Sequence, residues 1–245
     1  MDLVRKTPGA GAVRRALAVL TEIGKADRGL SVSELVSRVS VTKPTAHRLV
    51  SVLIEEGFLA ATGTPQVLRL GPMFLELAHA AWHDFDLRGA AVAELEKLAQ
   101  ISGHSALLLV PNGDQVICVE AIHGGERLRH VDVGSTASFR TSAAGQAIVA
   151  FSPGRHLLAT ESAPLTKARF YAIDDEQSSV GWRSVAAPVF NERSEPVAAL
   201  SVTGPAHLLS IEQLHELAPE VLESARRRSS SPRHRKSCCR RRKHR

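Results

Sequence analysis

Along the first third of the chain, apolar residues recur every three or four positions, the repeat of helices that bury one face. Val13, Ala16, Leu17, Leu20 and Ile23 predict a first helix, which Gly24 can end. Val32, Leu35, Val36 and Val39 predict a second. It opens on Ser31-Val32-Ser33-Glu34, a capping box in which the Ser31 hydroxyl and the Glu34 carboxylate each take up an amide that the helix leaves unpaired. Leu49, Val50, Leu53 and Ile54 predict a third helix, capped by Thr42. It carries Pro44 in its first turn, where amides have no intrahelical acceptor anyway. Two helices so tightly connected form a helix-turn-helix, and the start of the second is what meets the DNA major groove. Lys43, Thr45, Ala46, His47 and Arg48 occupy that start and are the candidate DNA-reading residues. From Ala60 to Gly71, two short apolar runs are broken by Gly63, Thr64 and Pro65, the pattern of a two-stranded wing from which Arg69 can approach a phosphate. A plain three-helix bundle with solvated basic residues is the alternative, and it leaves the wing pattern unexplained.

Beyond Gly71 the pattern changes. Met73, Phe74, Leu77, Ala78 and Ala81 predict one more helix, and Asp86-Leu87 opens another through Ala91, Leu95 and Leu98. Strand-like runs follow at 106–110, 115–121, 128–131, 184–190 and 197–202, with Pro111-Asn112-Gly113-Asp114 as a hairpin turn and helical patterns after Ser142 and Ser210. Strands mixed with flanking helices indicate an α+β domain built on an antiparallel sheet. The closing helix has the capping pair Ser210/Gln213 and apolar Ile211, Leu214, Leu217, Val221 and Leu222, and Pro219 is expected to kink it. The expected layout is thus a DNA-binding domain over 1–71, a linker helix over 72–88, a second domain over 89–223 and a disordered tail over 224–245.

Charge sharpens this division. The overall balance of +6 conceals 10 Lys+Arg against 6 Asp+Glu in residues 1–70, 10 against 19 in residues 71–223, and 11 against none in residues 224–245. A basic front and an acidic rear suit a protein whose front alone touches phosphate. The tail, RRRSSSPRHRKSCCRRRKHR, has no core-forming residue. Its sudden loss of acidic residues points to a shifted reading frame; a genuine tail would add salt-sensitive, sequence-independent nucleic-acid affinity. Cys118 lies in an apolar run and Cys238 and Cys239 are adjacent, so no disulfide framework is implied. His234 with the two tail cysteines lacks the scaffold a metal site needs. No apolar run approaches the roughly 18 residues of a membrane span and the N-terminus lacks a signal-peptide core, so a cytoplasmic protein with no membrane partner is expected.

Several of these segments resemble one family. Arg15-Ala16, Leu30-Ser31, Lys43-Pro44-Thr45, His47-Arg48-Leu49, Glu56-Gly57-Phe58-Leu59 and Leu70-Gly71 look like the winged helix-turn-helix of IclR-type transcription regulators. Downstream, Thr141-Ser142-Ala143-Ala144-Gly145-Gln146-Ala147 looks like that family's effector loop. Tyr171 to Val189 and Ala198 to Pro205 look like the strands that complete its pocket. The resemblance implies a GAF-like effector-binding domain, double-stranded operator DNA and a small organic acid as partners, a homodimer or homotetramer, and no cofactor. It carries effector-binding roles onto Ala143, Ala144, Asp174, Ser184, Ser201 and Thr203. The linker helix would contribute dimer contacts.

The residues bear on the same chemistry independently. Small side chains at Ser142-Ala143-Ala144-Gly145 let a ligand approach the backbone, and the amides of the helix that follows favour an anion such as a carboxylate. Ser142 as an ordinary helix cap is the plain alternative. Two departures from the family pattern stand out: the interval between Phe151 and Arg169 is too short for the further helix the family has there, and the tail replaces ordinary sequence. Both raise the alternative of a regulator that binds DNA constitutively. An enzyme acting on a small acid is the rival from another class, with Ser142, His130, Asp132 and the run Asp174-Asp175-Glu176 as its candidates. It has no G-x-S-x-G elbow, no metal-spaced His/Glu cluster and no phosphate loop behind it, and a non-enzymatic role is expected.

Overall fold

A computed structural model describes residues 10–83, 86–125, 131–158 and 160–229. The chain divides into two compact units, residues 1–85 and residues 86–245.

In the first unit, helices α1 (Gly11–Gly24), α2 (Val32–Arg38) and α3 (Lys43–Glu55) are followed by strands β1 (Leu59–Thr62) and β2 (Val67–Leu70), then α4 (Met73–His83). The capping box of α2 forms as expected: the Ser31 amide donates to Glu34 at 2.8 Å, and the Glu34 amide to the Ser31 hydroxyl at 3.3 Å. Thr42 departs from expectation. Its hydroxyl caps nothing and pairs instead with that of Thr45 at 2.9 Å. The buried face of α1 is also rotated from the predicted one. Val19 and Ile23 enter the core, whereas Val13 and Leu17 are 61% and 57% exposed. In α3 the core takes Ala46, Val50 and Leu53, while Ile54 lies at the surface. The wing is an antiparallel pair running from Leu59↔Leu70 to Thr62↔Val67, and it is pinned to the helices by a bridge between Leu30 and Leu68. Gly71 must lack a side chain, since a Cβ there would stand 2.1 Å from the Gly57 carbonyl oxygen.

Among the described residues of the second unit, six strands lie in the order β5-β4-β3-β8-β7-β6, and every neighbouring pair is antiparallel. They are β3 (Ser105–Asn112), β4 (Gln115–Ile122), β5 (Thr136–Ser138), β6 (Ala172–Asp175), β7 (Trp182–Phe190) and β8 (Pro196–Pro205). Strand alternation sorts the residues onto two faces. Ala106, Leu108, Val185, Ala187, Leu200 and Val202 pack against α5 (Asp86–Ser102) and α8 (Ile211–Arg228). Leu107, Leu109, Ala186 and Ala199 share the other core with α6 (Ala143–Val149).

Three expectations for this unit need correction or restriction. The interval after Phe151 is not short of helix: it holds a 3-10 turn, Pro153–Leu158, and α7 (Ala163–Arg169), because Pro164 suits a first turn and Lys167 and Arg169 suit the last. The strand expected at 128–131 falls mostly on residues 126–130, which lie outside the described residues; Val131 is a bend, and the sheet includes β5, which was not expected. Helix α8 runs through Pro219 to Arg228, so the fold does not end at residue 223. Ser224 and Ala225 are fully buried, and the Ser229 hydroxyl receives the Phe190 amide at 3.0 Å and donates to the Ala225 carbonyl at 2.9 Å. Arg227 and Arg228 reach back to Glu94 on α5, at 3.9 and 3.8 Å. Tail residues 230–245, with His234, Cys238 and Cys239, lie outside the described residues.

Candidate DNA face and effector cavity

Helix α3 presents Lys43, His47 and Arg48 to solvent on its first turns, with Thr45 half-buried beside them. Ala46, expected among the DNA-reading residues, is 0% exposed and packs inward. Its place in the sequence among basic residues concealed that it begins the inward stripe Ala46, Val50, Leu53. Arg69 is exposed on β2, the second strand of the wing.

The second unit holds a cavity of about 390 Å³ on the α6 side of the sheet. Strand β3 contributes Leu107 and Leu109, β7 contributes Trp182 and Ser184, and β8 contributes Ser201 and Thr203. Thr141, Ser142 and Ala144 close it from the start of α6, Ser178 and Ser179 from the turn before β7, and Val131 from the loop before β5. Among the described residues that line it none is charged, and they offer hydroxyls and amides against an apolar floor. Ser142 serves as the cap of α6, accepting from the Gly145 amide at 3.1 Å and donating to the Ser138 carbonyl at 2.6 Å. Ser201 donates to the Val185 carbonyl at 3.1 Å and Thr203 to the Arg183 carbonyl at 3.2 Å, so both hydroxyls offer a ligand their lone pairs.

Four of the six residues expected at the pocket line this cavity: Ala144, Ser184, Ser201 and Thr203. The other two do not. Ala143 is 0% exposed within the core, since it sits one position around α6 from Ala144. Asp174 is buried and turned toward its own chain, taking the Gln177 amide at 2.8 Å, the Ser178 amide at 3.2 Å and the Ser178 hydroxyl. It therefore orders the turn that brings Ser178 to the cavity. Burial pushes the Asp174 carboxyl above its ordinary pKa, and these hydrogen bonds only partly oppose that. Leu107 and Leu109 also line it and were not expected there, while Thr141 and Trp182 stood within the resembled effector loop and pocket strand without being named as pocket residues. Alternation along β3 could have placed the two leucines on a single face, but not that face over a cavity.

Of the rival enzymatic candidates, those among the described residues can be placed. Asp175 and Glu176 are engaged by Arg183, at 2.7 and 3.5 Å, and form no cluster over the cavity. His130 lies outside the described residues. Ser105 and His123 are 3.0 Å apart, yet His123 stands 4.0 Å from Asp132, beyond the reach of a hydrogen bond. Among the described residues, no three His, Cys, Asp or Glu side chains are grouped to hold a metal, and no helix is long and apolar enough to cross a membrane.

A winged helix-turn-helix on one chain with an antiparallel domain that holds a small cavity is the layout of a transcription regulator. Residues 12–63 match the IclR helix-turn-helix domain, and residues 160–230 match the bacterial transcriptional regulator IclR C-terminal domain. The glycerol operon regulatory protein of Streptomyces griseus is 31% identical over 218 residues, covering 81% of this chain and 86% of its own. That of Streptomyces coelicolor is 28% identical over 235 residues, covering 88% and 92%. The chain belongs to the IclR family of transcriptional regulators. Its fold matches the Alicyclobacillus acidocaldarius regulator with a TM-score of 0.74 at 23% identity, covering 89% of this chain and 97% of that one. It also matches a Microbacterium hydrocarbonoxydans homologue complexed with 4-hydroxybenzoate, with a TM-score of 0.70 at 21% identity, covering 88% and 99%.

Proposed function

We propose that this regulator binds double-stranded operator DNA through Lys43, Thr45, His47, Arg48 and Arg69, and that a small organic acid in the second unit alters that binding. The protein is not an enzyme, acts in the cytoplasm, and reads a pseudo-palindrome as a homodimer or a homotetramer of paired dimers. The observation that carries the reading is the cavity of about 390 Å³, whose size suits a small molecule. Its leucines and Trp182 match a hydrocarbon or aromatic body. Its hydroxyls, with the first turn of α6 at Ala144, match a polar or anionic end. The shortened interval after Phe151 does not abolish this space, which weighs against a constitutive regulator. Ligand binding changes DNA affinity only in so far as it favours one of two states of the protein, and the coupling is reciprocal.

The full-length protein titrated against DNA from upstream of its own gene, by fluorescence anisotropy with unrelated DNA as competitor, tests both halves. Specific binding shifted by a panel of small acids, 4-hydroxybenzoate first, is the expected result. Specific binding that no acid shifts would leave a constitutive regulator. Turnover of an acid would revive the enzyme.

A further inference from the structure

The first unit carries a basic groove that the recognition helix does not account for. Arg14 and Arg15 on α1 and Arg38 at the end of α2 line one depression of about 440 Å³ together with Thr21, Glu22 and Ser40. All three arginines are exposed. Among the described lining residues Glu22 is the one carboxylate, and it is engaged by Lys25 at 2.8 Å, so three arginines there leave the groove positive. Arg15 also lines the adjoining cleft between α1 and α3, which contains Thr45 and Arg48. The groove is therefore continuous with the proposed DNA face. Like charges gathered in this way repel one another in the free protein, and a seated anion relieves that repulsion.

We infer that the groove between α1 and α2 seats a backbone phosphate of the duplex, held by Arg14, Arg15 and Arg38, and fixes the register of the recognition helix. The inference rests on the DNA-binding reading above and extends it to a second point of attachment. Guanidinium groups suit the task, because they grip phosphate oxygens with paired donors and never lose their charge. A phosphate contact carries no sequence information, so its loss weakens every duplex alike.

The test compares full-length wild type with Arg14→Gln, Arg15→Gln and Arg38→Gln, singly and together, each against operator and unrelated DNA between 50 and 200 mM salt. Losing the whole phosphate contact, as when all three arginines are replaced together, removes roughly 0.9 from the salt slope, about 15-fold in affinity at 50 mM and about fourfold at 200 mM; each single variant, with two guanidiniums left, should lose part of this, equally for both DNAs. Arg→Lys variants should regain the slope, since the charge returns. Loss confined to the operator would make these residues base readers and overturn the inference, as would unchanged affinity in all three variants. Inorganic phosphate binding to wild type but not to the variants, with duplex affinity intact in both, would make the groove a free-anion site and equally overturn it. Wild type that binds no duplex would sink the DNA-binding reading along with the groove; wild-type binding that the variants retain would sink the groove alone.

Discussion

Replacing Gly145 by alanine gives the sharpest test of how the cavity is built. Gly145 lies in the first turn of α6, where alanine would ordinarily gain about 1 kcal/mol of helix propensity. Here the sign reverses. A Cβ at this position would stand 2.5 Å from the Phe139 Cα, 2.5 Å from the Ser138 carbonyl oxygen and 2.9 Å from the Phe139 carbonyl carbon. All three are backbone atoms, so no side chain can rotate away and the helix itself must move. Overpacking typically costs about 1–3 kcal/mol, and a backbone clash sits at the upper end, leaving a net loss of about 2 kcal/mol. For a domain of this size that lowers the thermal midpoint by about 4–8 °C. Circular dichroism through the melt measures it. The displaced α6 also shifts Ser142 and Ala144, so acid binding, followed by Trp182 fluorescence, should weaken in parallel. A Gly145→Ala protein melting at or above the wild-type midpoint would refute the reasoning.

Further outcomes are expected elsewhere. Arg48→Ala should weaken operator binding more than binding to unrelated DNA, as a base contact does; anisotropy showing equal losses would reassign Arg48 to phosphate. Burial raises the Asp174 pKa, so the native state binds this proton more tightly than the unfolded chain does. The stability it supplies is complete below the ordinary carboxylate range and is lost as pH rises through the raised native value. Asp174→Asn should flatten that pH dependence in urea melts, because its amide oxygen can still accept the Gln177 and Ser178 amides. Burial pushes the Cys118 thiol up to about 12, so native protein should resist alkylation there at pH 8 and react once unfolded, as peptide mass mapping would reveal.

The sequence by itself determined much that rests on local chemistry, though not the cap of α3, where the Thr42 hydroxyl pairs with Thr45 instead. Ser31 and Glu34 form their capping box wherever α2 goes, because the partners lie within one turn, and Ser142 and Ser210 cap α6 and α8 for the same reason. Helical spacing set the elements of the first unit, and order-preserving motifs set the family. Which face an element buries was less legible. Ala46 and Val19 are buried, and Val13 and Leu17 exposed, through contacts made by other elements. The cavity was legible only in part. Ser184, Ser201 and Thr203 share a stripe, but the antiparallel pairing of Ser184 with Thr203 and of Leu107 with Ser201 is what sets them around one space. Asp174 turned away from that space because two amides and a hydroxyl of its own turn compete for its carboxylate. The end of the fold was hidden too. Arg227, Arg228 and Ser229 read as the start of a basic tail, yet Glu94 and the Phe190 amide, more than a hundred and about forty residues away in sequence, draw them into the domain. Long-range partners of this kind are chosen when the chain closes on itself, and only the tertiary structure decides them.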